Sequence, residues 1–269
     1  MNDPAPTFPG AIALSPGRFC LKGQVVIVTG GGKGIGKIYA QEFARAGAAV
    51  VASDIDGAAA ADVAAGLVDE GLKAASSQTD IADPASVERM VETAREAFGT
   101  VDVLVNNASL MSVLPRRNWM EIPVEEWDRV MAVNLRGMFL CCKAVFPLMK
   151  EKGRGKIVNI SSSRVWEGTP LRLHYTTSKA GVVGFTRALA REVGPFGVTV
   201  NAVSPGNTLS ETQVQSSDPA YLATKAQGRS IPRGQTPDDL VGAVMFLASP
   251  ASDFITGQTV NVDGGRAMH

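Results

Sequence analysis

The sequence predicts a doubly wound α/β fold, one parallel sheet with helices on both faces, and three observations predict it. Short β-branched apolar runs recur along the chain, longer helical patterns separate them, and a glycine cluster follows the first run and opens the first helix.

Taken in order, residues 1–20 contain Pro4, Pro6, Pro9 and Pro16 but no basic stretch followed by an apolar one. They read as an N-terminal arm rather than a secretion signal. Strands are expected at 25–28, 49–52, 101–105, 156–160 and 198–203, with a weaker candidate at 73–78. These runs are compact and apolar, as strands buried on both faces must be. Helical patterns fill 35–45, 84–98, 124–150, 176–193 and 237–248. Between the last strand and the last helix, 207–235 is rich in Ser, Thr, Gln and Pro, the composition of a lid over a site. Residues 21–269 are thus expected to form one domain. In such folds ligands bind at the carboxyl ends of the strands, so motifs are sought there.

Composition narrows the function. Hydrophobic residues make up 45% of the 269, charged residues 19%, and Lys+Arg and Asp+Glu number 26 each. That supplies a sizeable core and no net field toward nucleic acid or an anionic membrane. No run approaches the roughly 18 uninterrupted apolar residues of a membrane span. Cys20, Cys141 and Cys142 make neither a disulfide framework nor a metal-ligand cluster, and only two histidines are present. The expectation is a cytoplasmic protein with no catalytic metal.

The glycine cluster, Gly30 to Gly36 with Lys33 and Ile35 inside it, lacks strict G-x-G-x-x-G spacing and instead reads G-x-x-x-G-x-G. Glycines there let backbone approach a pyrophosphate, whose charge the helix N-terminus favours. Gly30, Gly32, Lys33, Gly34, Ile35 and Gly36 are therefore candidate cofactor contacts. Asp54 follows the second strand, where a carboxylate accepts from both adenosine ribose hydroxyls and repels a 2′-phosphate. At ~4 Å and an effective dielectric of ~20, each unit of like charge costs about 4 kcal/mol before screening. NAD is favoured over NADP, although Lys33 in the loop could partner a 2′-phosphate.

Tyr175 and Lys179 lie four apart, on one face of a helix. A phenol titrates near ~10, and a neighbouring ammonium favours its ionised form, which makes Tyr175 a usable acid/base.

With Asp80-Ile81, Asn106-Asn107-Ala108, Asn134, Ser161-Ser162, Pro205-Gly206 and Asp263-Gly264-Gly265 in order along the chain, the sequence from about Leu21 to Gly265 resembles the short-chain dehydrogenase/reductase family. The resemblance implies a Rossmann fold. It further implies that Asp80 accepts from the adenine amino group, that Asn106 supports the cleft, and that Ile81, Asn107, Ala108, Pro205, Gly206, Thr208 and Ser210 contact the cofactor. Ser162 would polarise the substrate oxygen, with Ser161 and Ser163 flanking it as rivals. Lys179 would hold the nicotinamide ribose and depress the Tyr175 pKa, and Asn134 would anchor a water that leads the proton out. Ser109, Thr208 and Ser210 depart from the residues usual in the family.

Leu110, Met111, Trp166 and Leu171 offer an apolar substrate wall, with Arg164 and His174 facing a polar substituent. An aromatic or cyclic secondary alcohol or ketone is the expected substrate, and a homotetramer the expected assembly. The alternatives are an NADPH-dependent 3-oxoacyl thioester reductase and a non-catalytic binding protein on the same scaffold.

Overall fold

A computed structural model describes residues 19–211 and 227–268, so the N-terminal arm and the centre of the expected lid lie outside the described residues. Seven parallel strands form one sheet in the order β3-β2-β1-β4-β5-β6-β7. In chain order the elements are β1 (Val25–Thr29), α1 (Gly34–Arg45), β2 (Ala49–Asp54), α2 (Gly57–Asp69), β3 (Ala74–Gln78), α3 (Pro84–Phe98) and β4 (Val103–Asn106). There follow α4 (Val124–Met131), a π-helical segment (Ala132–Gly137), α5 (Met138–Lys152), β5 (Gly155–Ile160) and the short α6 (Arg164–Glu167). The chain continues through α7 (Leu173–Val193), β6 (Val198–Pro205), α8 (Asp238–Ala248) and β7 (Thr259–Val262).

The alternation of side chains along a strand builds two cores from one sheet. In β1, Val26 and Val28 face the core shared with Phe43 of α1, Leu67 of α2 and Leu240 of α8. Val25 and Ile27 face the opposite core, with Met90 of α3, Val145 and Met149 of α5, and Val182 of α7. The sequence reversal from β3 to β4 across β1 places a switch point at the carboxyl ends of β1 and β4, the position where open α/β sheets form their ligand crevice.

Three features differ from the expectation. α2 and β7 are additional elements, and the long helix expected over 124–150 is divided by the π segment that contains Asn134. The run Val124–Lys152 has the length and a mean hydropathy (1.4) of a bilayer-crossing helix, but Cys141, Cys142, Val145 and Met149 pack it against the sheet. α7 begins at Leu173 rather than Thr176, so Tyr175 belongs to its first turn.

Candidate active site

A cavity of about 1200 Å³ opens over the carboxyl ends of the strands. Its walls are the loops that leave β1, β2, β3, β4, β5 and β6, joined by the first turns of α7.

At one end lies the glycine loop. Gly30 has φ +65°, left-handed backbone that a side chain resists. A Cβ at Gly36 would fall 2.0 Å from the Gly30 carbonyl oxygen and 2.5 Å from Asn107 Nδ2, so only glycine lets α1 start this close to β1. No side chain caps α1 at Lys33, which leaves its first N–H groups for an anion. The loop is braced from β4: Asn107 Nδ2 donates to the carbonyls of Thr29 (3.0 Å) and Gly30 (3.2 Å). Thr29 Oγ1 accepts from the N–H groups of Asn107 and Ala108 at 3.0 and 3.1 Å. Gly30, Lys33, Gly34, Ile35, Gly36, Asp80, Ile81, Asn107 and Ala108 all line the cavity.

Gly32 does not. It is packed against the start of α2, where a Cβ would approach Ala59 and Ala60 within 3.1 Å, and its N–H donates to Asp54 Oδ2 at 3.0 Å. Its role is to hold Asp54. The other carboxylate oxygen, Oδ1, accepts from the Asp56 N–H at 3.0 Å, so two backbone donors fix the Asp54 side chain on the cavity wall. The N-cap of α2 is Asp56, whose side chain accepts from the Ala59 N–H. Lys33 Nζ is paired with Asp56 Oδ2 at 2.6 Å.

At the other end Ser162, Tyr175 and Lys179 share one wall, all buried. The three neighbouring serines separate by geometry. Ser161 Oγ donates to the Lys179 carbonyl at 2.8 Å and Ser163 Oγ to Glu167 Oε1 at 2.7 Å, whereas the Ser162 hydroxyl hydrogen-bonds the Tyr175 phenol. Burial raises the Tyr175 pKa, opposed by that hydrogen bond and by the nearby guanidinium groups of Arg164 and Arg172. Burial lowers Lys179 to about 8. Its Nζ donates to the Ile160 carbonyl at 2.8 Å and lies 5.8 Å from the Tyr175 ring centre. Arg164 and Arg172 thus add two cations near the phenol beyond the lysine that the sequence nominated.

Pro205, Gly206, Thr208 and Ser210 line the same cavity from the loop after β6, and Leu110, Met111 and Arg164 line it near Tyr175. Other expected residues are placed elsewhere. Asn134 is buried and off the wall: its Oδ1 accepts from the Leu110 N–H at 2.7 Å, and its Nδ2 donates to the Leu110 carbonyl and to Ser178 Oγ. Asn106 is also off the wall, its Nδ2 donating to Asn159 Oδ1 at 2.9 Å between β4 and β5. Trp166 and Leu171 do not line the cavity, Leu171 being 46% exposed. His174 is 1% exposed and does not line the cavity either, its Nε2 lying 3.1 Å from Glu126 Oε1.

Sequence reasoning passed over Thr29, Glu167 and Arg266. Arg266 Nε donates to Glu167 Oε2 at 2.7 Å, and both line the cavity. Arg266 directly follows Asp263-Gly264-Gly265, and Asp263 Oδ1 accepts from the Gly265 and Arg266 N–H groups; that proximity to a turn was the available signal.

The donor set suits a nicotinamide dinucleotide: an uncapped helix start and glycine cradle for a pyrophosphate, a fixed carboxylate for ribose hydroxyls, and a Ser-Tyr-Lys wall at the far end. The family model described as enoyl-(acyl carrier protein) reductase matches residues 30–267. A probable short-chain type dehydrogenase/reductase of Bradyrhizobium diazoefficiens is 41% identical over 94% of this chain and 90% of its own length. A (2S)-[(R)-hydroxy(phenyl)methyl]succinyl-CoA dehydrogenase subunit of Thauera aromatica is 40% identical over 92% of this chain and 98% of its own. The crystal structure of a 3-ketoacyl-(acyl-carrier-protein) reductase from Brucella melitensis complexed with NADH superposes with a TM-score of 0.85, at 35% identity, covering 92% of this chain and all of that one. On these likenesses of sequence and fold, the chain belongs to the short-chain dehydrogenase/reductase family and is an oxidoreductase of that family.

Proposed function

We propose that the protein transfers a hydride between NAD(H) and an aromatic or cyclic secondary alcohol or ketone, with Tyr175 as the acid/base. The observation that carries this reading is the shared wall of Ser162, Tyr175 and Lys179, at one end of a cavity whose other end holds the fixed carboxylate of Asp54. A bound nicotinamide supplies the hydride acceptor. Around it, Ser162 hydrogen-bonds the substrate oxygen and Tyr175 takes the hydroxyl proton during oxidation, or returns it during reduction. Lys179 puts a compact positive charge on the same wall, a donor suited to ribose hydroxyls.

Asp54 supports NAD over NADP, and the Lys33–Asp56 pair supports it further by occupying the cation of the loop. Leu110, Met111 and Leu114 on the wall favour an apolar ring, and the Thauera relative, by its name, oxidises a phenyl-bearing alcohol. Phe139 on α5 and Leu173 on α7, each 47% exposed, support helix pairing in a homotetramer. A second reading, a 3-oxoacyl thioester reductase, is favoured by the name of the Brucella structure.

Titration of the purified protein with NADH and NADPH, followed by a substrate panel, tests the proposal. Tighter NADH and turnover of aryl or ring-borne alcohols are expected, with Tyr175→Phe abolishing turnover while retaining NADH binding. Turnover of 3-oxoacyl thioesters alone, with NADPH, would establish the second reading; an active Tyr175→Phe would remove Tyr175 from the chemistry.

A further inference from the structure

The loop after β4, residues 110–118, packs against Tyr175. Leu114, 6% exposed, packs with Tyr175 and with Val130 of α4, and Met111 joins the same cluster. Both ends of the loop are tied down. Asn134 holds the Leu110 backbone through its N–H and carbonyl. At the far end Arg117 donates its N–H to the Leu171 carbonyl at 3.1 Å, and Arg172 Nη2 donates to the Leu114 carbonyl at 2.8 Å. Leu171 has φ +70°, a strained conformation for a side chain with a Cβ, and the Arg117 bond helps retain it.

One carboxylate joins these pieces. Glu126 Oε1 lies 3.1 Å from His174 Nε2 and 3.7 Å from Arg117 Nε. His174 directly precedes Tyr175, is 1% exposed, and among the described residues its Nδ1 has no hydrogen-bond partner. With its proton on Nε2, the ring donates to Glu126. Glu126 is four residues before Val130, so the helix face that grips His174 also packs Leu114 against Tyr175.

We propose that Glu126 is a positioning residue: by holding Arg117 and His174 together it clamps loop 110–118 over Tyr175, and so sets the affinity for the alcohol without taking part in the chemistry. This rests on the reading of Tyr175 as the acid/base. The clamp lies at the opposite end of the cavity from the glycine loop and Asp54, so its loss changes the substrate side and leaves cofactor affinity alone.

Two measurements test it. Hydrogen exchange on the substrate-free protein reads the loop directly: Glu126→Ala is expected to speed exchange of the backbone amides from 111 to 117, and Glu126→Gln, which still accepts from His174, to change it little. Steady-state kinetics with the best alcohol of the panel read the consequence: Glu126→Ala is expected to raise KM about tenfold with kcat and NADH affinity within about twofold, and Glu126→Gln to restore KM to within about threefold. Unchanged exchange or unchanged KM in Glu126→Ala would overturn the proposal, as would equal damage by Gln and Ala or a parallel fall in NADH affinity. If Glu126→Ala does not fold, Arg117→Ala at a half-exposed side chain carries the test, with faster loop exchange expected and unchanged exchange refuting it. Faster exchange in a protein whose Tyr175→Phe variant is still active would sustain the clamp and dismiss the proposed chemistry.

Discussion

Replacing Gly36 with alanine places the new Cβ 2.0 Å from the Gly30 carbonyl oxygen and 2.8 Å from the Gly30 carbonyl carbon, both backbone atoms. Ordinary contact begins at 3.4 Å, so the start of α1 or the end of β1 must move by more than about 1 Å. Such a shift separates Asn107 from the Thr29 and Gly30 carbonyls that it now ties. Overpacking of this kind costs about 1–3 kcal/mol, and losing one of the tethers adds about 1 kcal/mol. The expected loss is about 3 kcal/mol, a drop in Tm of roughly 6–12 °C for a chain of this size. Gly66→Ala is the internal control, since Gly66 is exposed inside α2 with nothing within 4 Å of an added methyl and an ordinary helical φ. It is expected to gain about 0.5–1 kcal/mol from helix propensity alone. Urea unfolding of both variants, with NADH titration by fluorescence, decides. If Gly36→Ala unfolds within about 0.5 kcal/mol of wild type and binds NADH equally well, the close approach of α1 to β1 is not what shapes the loop.

Other outcomes follow from the same geometry. Asp54→Asn keeps the shape of the side chain and removes its charge, and is expected to narrow the preference for NADH over NADPH by about 30-fold, roughly 2 kcal/mol of screened repulsion, in paired cofactor titrations. Lys179 is protonated up to about 8 in the folded protein but to its ordinary value of 10.5 when unfolded, so its burial cost is fully present below pH 8 and disappears between 8 and 10.5. Lys179→Met, unfolded in the absence of cofactor, is therefore expected to be more stable at pH 7, by about 1–3 kcal/mol after losing the bond to Ile160, and urea midpoints should converge with wild type as pH approaches 10. Burial raises the Cys141 thiol and brings that of Cys142 up to about 12, while Cys20 is exposed; a thiol reagent at pH 8 should label one cysteine in the native protein and three in denaturant.

What the sequence disclosed depended on how each element writes itself. β1 and the first four residues of β2 are continuous apolar runs and β5 and β6 are rich in Val and Ile because both their faces are buried, and their positions are readable within a residue or two. β7 is a four-residue edge with no fully buried position, and α2 buries Ala60, Val63, Ala64 and Leu67, where alanines hide the helical period. Gly30, Gly34, Gly36, Asp54, Ser162, Tyr175 and Lys179, which the fold brings to one cavity, were legible because their motifs are written in order along the chain. Of the expected pocket residues Leu110, Met111 and Arg164 do line the cavity, but Trp166, Leu171 and His174 do not, because facing depends on backbone detail: the left-handed Leu171 redirects the chain just before α7, sending His174 to Glu126 rather than to the cavity. The π segment at Asn134 is likewise invisible in a pattern that runs helical from 124 to 150.

The uncapped start of α1 makes the fold conditional on its surroundings. A serine or aspartate at position 33 would satisfy one of those N–H groups permanently, stabilising the empty protein by about 1 kcal/mol while competing with any phosphate for the same donor. Leaving them open transfers that contribution to the ligand. At a concentration a hundred times its dissociation constant, a bound dinucleotide adds about 2.7 kcal/mol to the folded state. Resistance to heat and to proteolysis is then a property of the protein together with its cofactor pool, and a cell that exhausts that pool weakens the enzyme's fold as well as its turnover.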